Sequence, residues 1–340
     1  MSTFWRITLD TNPEDCNLSC TMCEEHSEHS DFMKRLYERT GIKRRRMPFD
    51  MVRKVMEEAA AMGVREIIPS TMGEPLLYRQ FDELLELAAQ LGMKVNLTTN
   101  GTFPKRTVED WAARIVPVTS DVKISWNGAT KSTAESVMKG LKFEQAVSNA
   151  ERFIRVRDAH HAVSGHYCRV TFQLTFMQNN MHELPEIIRL AAKLGVDRVK
   201  GHHLWAHFEE IEQLSFKNSP EAIERWNHIV DQAVVTAAAY PRPDGTPVQL
   251  ENITLLAPQS GHEVPHDHMC PFLGKELWVS ATGDISPCCA PDDLRRSLGD
   301  FGNVNERSLS EVVADGAYQG LMRDYRDRPL CRTCNMRKPC

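Results

Sequence analysis

Three thiols fall within eight residues, Cys16-Asn-Leu-Ser-Cys20-Thr-Met-Cys23, spaced C-x3-C-x2-C. Thiolates are soft ligands that favour iron–sulfur clusters or zinc over hard cations. Three of them can each bind one iron of a [4Fe–4S] cube, leaving the fourth iron open to a small molecule. A zinc site would want a fourth ligand nearby, and His26 or His29 could serve. The spacing alone therefore leaves zinc, and an unrelated thiol cluster, in play.

Six more cysteines lie in the last 71 residues: Cys270, Cys288, Cys289, Cys331, Cys334 and Cys340. Ten cysteines are many for a chain with no apolar leader, and here Phe4 to Leu9 reads directly as a strand. In a reducing compartment such cysteines are metal ligands more often than disulfides. The expected compartment is the cytoplasm. Cys168 stands alone in an apolar strand pattern and reads as a buried structural thiol.

The elements that must position these thiols alternate regularly. Strand patterns cover Trp5–Asp10, Glu66–Ser70, Lys94–Thr98, Asp121–Ser125, Arg169–Phe176 and Arg198–Lys200. Helical periodicity fills the gaps at Phe49–Met62, Phe81–Leu91, Phe143–Val156 and Met181–Leu194, with a further helix at Ser219–Ala239. Six β-then-α units imply a parallel sheet with right-handed crossovers, and ligands at the carboxyl ends of its strands. From Cys270 the pattern changes to short strands, turns and thiols. Three segments are expected: a barrel over 1–210, a helical and loop connection over 211–264, and a metal-ordered domain over 265–340. There is no internal repeat and no run of 18 apolar residues, so no membrane span is expected. The net charge of −5 argues against a nucleic-acid partner. The one basic run, Lys43 to Arg46, reads as a solvated loop, with contact to an anionic substrate or a reductase as the alternative.

The N-terminal cysteine loop, set just after the first strand, resembles the radical SAM superfamily. That resemblance implies a partial (β/α)6 barrel in which the open iron binds S-adenosylmethionine. Reductive cleavage then gives a 5′-deoxyadenosyl radical that abstracts a substrate hydrogen. Met22 stands at the position that contacts adenine in the family, where an aromatic is more usual. Thr71-Met72-Gly73-Glu74-Pro75 resembles the segment holding the SAM ammonium, with Met72 in place of a glycine. Thr98-Thr99-Asn100-Gly101 follows the third strand, and Ser125 resembles the group bonded to the ribose. Asn127 to Ala150 resembles a stretch of the subgroup with C-terminal clusters, and Arg169 stands where members place an arginine for the SAM carboxylate. Cys270-x12-Gly283-x4-Cys288 is similar to an element of the SPASM and twitch domains. The implied architecture is α/β, a partial (β/α)6 barrel with a small C-terminal iron–sulfur domain. The implied cofactors are the radical SAM [4Fe–4S] cluster, SAM, and one auxiliary [4Fe–4S] cluster on Cys270, Cys288, Cys331 and Cys334, a zinc knuckle on the same thiols being the alternative. Cys340 could replace Cys334, and Cys289 could pack or donate a hydrogen atom to a substrate radical.

After the sixth strand comes Gly201-His202-His203-Leu204-Trp205-Ala206-His207. His202 and His203 are the expected catalytic residues with Cys289, because imidazole moves protons near neutral pH. Trp205 could stack on a base or sugar, and Glu24, Glu25, His26 and His29 lie just behind the cluster loop. The resemblance extends to the cytosylglucuronate decarboxylases of nucleoside-antibiotic pathways. The expected partners are therefore a hydroxyl-bearing sugar or nucleoside and a flavodoxin or ferredoxin reductant. The alternatives are a peptide-modifying maturase, which often carries an N-terminal docking domain and a full SPASM set, and a non-catalytic zinc-binding protein.

Overall fold

The structure, a computed structural model, describes residues 4–70, 72–257, 263–334 and 336–339, without the side chains of Asp292 and Asp293. Thr71 and Cys340 lie outside the described residues. One sheet organises the chain: β1 (Arg6–Leu9), β2 (Glu66–Ile68), β3 (Lys94–Thr99), β4 (Thr119–Ser125), β5 (Arg169–Phe176), β6 (Arg198–His203), β7 (Gln249–Glu251), β8 (Glu276–Val279) and β9 (Ile285–Ser286). Their spatial order is β9-β8-β1-β2-β3-β4-β5-β6-β7, and all neighbours are parallel except the β8–β9 pair. Thus β7 from the expected connection extends one side of the sheet. β8 from the cysteine-rich tail pairs with β1, Arg6 opposite Glu276, and extends the other.

Alternation along each strand divides the sheet into an apolar and a polar face. On β5, Val170, Phe172, Leu174 and Phe176 are fully buried in the core. The alternate residues join a polar network instead. Arg6 Nε and Asn96 Nδ2 donate to Glu66 Oε1 at 2.7 and 3.0 Å, Thr171 Oγ1 donates to Asp121 at 2.8 Å, and Arg198 pairs with Asp121. Lys123 on β4 lies on this face and feels the charges of Asp121, Lys200, Arg6 and Glu66. Burial there pushes the Lys123 ammonium down to about 8.

The helices follow the sequence periodicity. Residues Val52, Val55, Met56 and Ala59 of helix Phe49–Ala61 are buried, three and four apart. Helix Phe143–Ser164 runs beyond the expected end at Val156 and stops at Gly165, which has φ 73°. Its Arg157 is buried and donates to Asp197 Oδ2 at 2.7 Å and to the Cys168 carbonyl at 3.1 Å. Asp197 also accepts from Val170 N at 2.7 Å, and Tyr167 and Arg242 close on its other oxygen. This cluster ties a helix to the starts of β5 and β6. Cys168 is fully buried, as its apolar surroundings imply. No helix among the described residues is long and apolar enough to cross a membrane.

Candidate functional site

The loop after β1 is fixed before it reaches its first thiol. Thr11 Oγ1 donates to the Pro69 carbonyl at 2.7 Å, and Asn12 Nδ2 to the Glu74 carbonyl at 2.9 Å. Glu74 N donates back to the Asp15 carbonyl at 2.7 Å. Gly73, at φ 72°, lies so close to this loop that a Cβ would meet the Pro13 and Asp15 carbonyls at 2.9 Å. Only glycine fits there. Ser19–Cys20 then forms a two-residue ribbon with Met138–Lys139.

Hydrogen-bond donors already point at several of the thiols. His26 N donates to Cys23 Sγ at 3.4 Å and Asn100 Nδ2 to Cys16 Sγ at 3.8 Å. In the tail, Leu273 N and Ala290 N donate at 3.4 Å to Cys270 and Cys288. Such N–H donors stabilise thiolate sulfur and tune clusters. Burial nevertheless pushes the Cys23 and Cys288 thiols up to about 12, Cys331 up to about 11, and Cys20 upward as well. Buried thiolates with donors already in place require a cationic centre, so both groups fit iron–sulfur clusters. Among the described residues, no three His, Cys, Asp or Glu side chains are placed to hold a single metal ion. His26 Nε2 is engaged with the Pro13 carbonyl at 3.0 Å.

Of the expected cofactor residues, Met22, Gly73, Asn100 and Ser125 stand at or beside this loop or at strand carboxyl ends. Two others require correction. The Glu74 side chain is fully enclosed, accepting from Asn100 N at 2.7 Å, Thr99 Oγ1 at 2.8 Å and Leu76 N at 3.2 Å. Burial pushes its carboxyl up to about 7. It joins two loops and presents no carboxylate to a ligand. Arg169 begins β5, at the end of the sheet away from the cysteine loop, with its Nε 3.6 Å from Asp121. The β5 residue in register with Ser125 is Gln173, which lies 3.5 Å from His202 Nδ1. Alternation from Thr171 to Gln173 was the available signal.

A cavity of about 350 Å³ is lined by residues flanking the cysteine loop, Pro13, Glu24 and Glu25, and by the tail thiols Cys270, Cys288, Cys331 and Cys334. His202, Trp205, His207, Glu25, Cys288 and Cys289 are among its walls. His202 reaches the cavity with its side chain exposed there, and the low-dielectric surroundings together with the Lys200 charge hold its imidazole below the usual range. His203 does not. It packs edge-on against Phe176 and Trp226 at 5.4 and 4.7 Å, and burial pushes it down to about 3. Period two sends adjacent strand residues to opposite faces, so only one of the pair can serve the site. His207 takes its place on the wall, pushed down to about 4 by burial. Glu25 is buried, pairs with Arg45 at 3.5 Å, and leaves Oε2 without a partner. Arg45 itself donates to Glu14 at 2.6 Å, so the basic run is not uniformly solvated.

The two histidines give a discriminating pair of variants. His203→Ala is expected to cost about 2 kcal/mol of stability by opening the Trp226 cluster, while turnover stays within about twofold. His202→Ala is expected to lower turnover at least about tenfold with unchanged stability. Urea unfolding beside steady-state assays separates the two effects.

The family profile described as the radical SAM superfamily matches residues 13–191, more than half of the chain. The chain belongs to the radical SAM superfamily. A second profile, described as an iron-sulfur cluster-binding domain and named SPASM, matches residues 270–335. This radical SAM enzyme is 25% identical to the PqqA peptide cyclase of Methylobacterium nodulans, over 84% of its own length and 69% of the relative's. It is 21% identical to the tungsten-containing aldehyde ferredoxin oxidoreductase cofactor-modifying protein of Pyrococcus furiosus, over 96% and 86%. Its fold matches Streptococcus suis SuiB bound to S-adenosylmethionine, with TM-score 0.68 and 18% identity, covering 99% of this chain and 73% of that one. It also matches anSMEcpe with bound AdoMet, with TM-score 0.66 and 15% identity, covering 98% and 85%. The radical SAM enzyme thus uses a [4Fe–4S] cluster, an auxiliary cluster and S-adenosylmethionine.

Proposed function

We propose that this radical SAM enzyme modifies a peptide, acting on a side chain held between the Cys16–Cys23 loop and the tail thiols. The observation that carries the reading is the character of the cavity. Trp205, Phe272, Trp278, Tyr325 and Leu330 give it aromatic and apolar walls, with charged side chains, among them Asp10, Glu25, Arg45 and Arg295, at other points of the lining. A sugar presents hydroxyls on every edge, and each would need a partner once buried. An apolar or aromatic amino-acid side chain does not. The peptide-cyclase relatives support the same direction, whereas none of the relatives reported above is named for a nucleoside. The sugar or nucleoside substrate, and cytosylglucuronate in particular, therefore give way to the peptide alternative.

When bound, SAM and the reduced cluster supply a 5′-deoxyadenosyl radical that takes a hydrogen atom from the substrate. Cys16, Cys20 and Cys23 would hold that cluster, and Cys270, Cys288, Cys331 and Cys334 the auxiliary one. The backbone of residues 72–74, with Asn100, Ser125 and Gln173, would position SAM. Trp205 and Trp278 would hold the substrate side chain and exclude water. His202 and His207, both on the cavity wall and held in the neutral form, would accept a proton from it. Cys289 lies on the same wall with its side chain exposed, and its thiol would serve as hydrogen-atom donor to a substrate radical.

The test is to incubate reconstituted, reduced enzyme and SAM with a library of Gly/Ser-based peptides that each display one other amino acid. A mass-shifted peptide formed in step with 5′-deoxyadenosine is expected. Product from cytosylglucuronate, with only abortive 5′-deoxyadenosine from every peptide, would overturn the reading.

A further inference from the structure

Three members of the basic run, Lys43, Arg44 and Arg46, lie outside the cavity proposed for the substrate. Arg45 turns inward to Glu14, but Lys43, Arg44 and Arg46 remain exposed. Arg46 donates to Asp15 at 2.7 and 3.0 Å, and Arg44 lies 3.6 Å from the same carboxylate. The chain brings a fourth cation to them. Lys105, exposed at a φ of 72°, is anchored by its ammonium on the Leu77 carbonyl at 2.8 Å. Arg44, Arg46 and Lys105 rim a surface depression of about 300 Å³, and Cys16 is in its wall.

Two features make this more than a solvated loop. The first is sign: three exposed cations, Arg44, Arg46 and Lys105, line the depression with Asp15 as the one carboxylate left to balance them, because Glu14 is matched by buried Arg45. A chain of net charge −5 thus carries a local positive patch. The second is position. The depression reaches a cluster ligand from outside, whereas the substrate cavity touches the same loop through Pro13, Glu24 and Glu25. The two openings share no residue. The cluster loop is therefore a wall between an interior site and a cationic exterior face.

We propose that the face formed by Lys43, Arg44, Arg46 and Lys105 docks an acidic one-electron carrier protein, which reduces the cluster held by Cys16, Cys20 and Cys23. Opposite charge steers encounter and fixes orientation, and its effect weakens as salt screens it. One electron passes from the carrier to the cluster; the carrier is oxidised by one electron, the cluster is reduced by one, and no bond forms between the proteins. The proposal rests on the cluster that family membership supplies, and not on the identity of the substrate.

The experiment uses the reconstituted holoenzyme with two probes, a bacterial flavodoxin and a bacterial ferredoxin, each fluorescently labelled. Binding is read by anisotropy at low and high NaCl. The variants are R44E/R46E/K105E and the milder R44Q/R46Q/K105Q, the second guarding against disturbance of Asp15. For at least one carrier, wild type is expected to lose about tenfold in affinity between low and high salt. The reversal variant should bind at least about tenfold more weakly at low salt, with the neutral variant between them. Formation of 5′-deoxyadenosine driven by that carrier should fall in parallel, while formation driven by dithionite stays within about twofold of wild type. Unchanged carrier affinity in the reversal variant, salt-independent binding, or binding of neither carrier would overturn the proposal. Equal loss with carrier and dithionite would also overturn it, since the residues would then serve the cluster itself. Peptide specificity enters none of these readings.

Discussion

Replacing Cys23 by alanine is expected to abolish 5′-deoxyadenosine formation, to below about a thousandth of the wild-type rate, and to remove about four of about eight irons per chain. Cys23 is enclosed, its sulfur accepts from His26 N at 3.4 Å, and its thiol feels the charge of Cys16. Without it, two thiols remain for a cube that uses three. Alanine cannot bind iron. The tail thiols stand apart on the far side of the cavity, so their cluster and the remaining irons should persist. Cys168→Ala is the control. That residue is buried in the core, contacts no other thiol, and should keep full iron content and turnover. Iron and sulfide analysis with product quantitation checks both variants. Loss of all iron in Cys23→Ala would show that the two groups do not load separately.

The second large effect falls on folding. Asp197→Ala is expected to destabilise the protein by about 3–5 kcal/mol, because it leaves the buried Arg157 guanidinium without its carboxylate. Arg157 is 2% exposed and cannot turn to solvent without leaving the helix–sheet junction. Its carbonyl contacts, Cys168 at 3.1 Å and Gly195 at 3.0 Å, do not neutralise the charge. The Asp158 neighbour is 62% exposed and so provides a screened, weaker partner. Val170 N and Tyr167 lose their acceptor in the same step. Urea unfolding of Asp197→Ala beside Arg157→Met/Asp197→Leu tests the cause. The double variant, which removes both charges, should recover much of the loss. Equal destabilisation in both would assign the effect to packing.

Much of the framework was legible because strands and helices here obey their periods closely. The six expected strands are β1 to β6, and Gly63 and Gly92 sit at positive φ beside helix ends where helical patterns stop. The short β7 was not readable: three residues carry too little alternation to mark a strand, and it forms by pairing with β6 far along the chain. The attachment of β8 to β1 is likewise a tertiary fact that no local pattern encodes.

The site was legible in its thiols and less so in its other side chains. Spacing on one loop singles out Cys16, Cys20 and Cys23 as the expected ligands, because the spacing is local there and needs no tertiary partner. Arg169 shows the opposite case. Being on the right strand says nothing about which end, and the start of β5 lies four register positions before Gln173. His203 fails through parity, and Glu74 fails because a carboxylate in a loop can be drawn inward by Asn100 N and Thr99. Arg45 fails similarly, since one member of a basic run can be turned into the molecule by a buried Glu14. Each error concerns the direction of a side chain, which sequence specifies only through its partners.

The central claim is that the radical generated at the Cys16–Cys23 loop is aimed at a peptide in the adjoining cavity. The most direct measurement is isotope transfer: reduced enzyme and SAM are incubated with the reactive library peptide carrying deuterium in its displayed side chain, and 5′-deoxyadenosine is analysed by mass spectrometry. Deuterium in 5′-deoxyadenosine, lost when Cys23 is replaced, is the expected result. Unlabelled 5′-deoxyadenosine from every deuterated peptide, together with label transfer from deuterated cytosylglucuronate, would contradict the account.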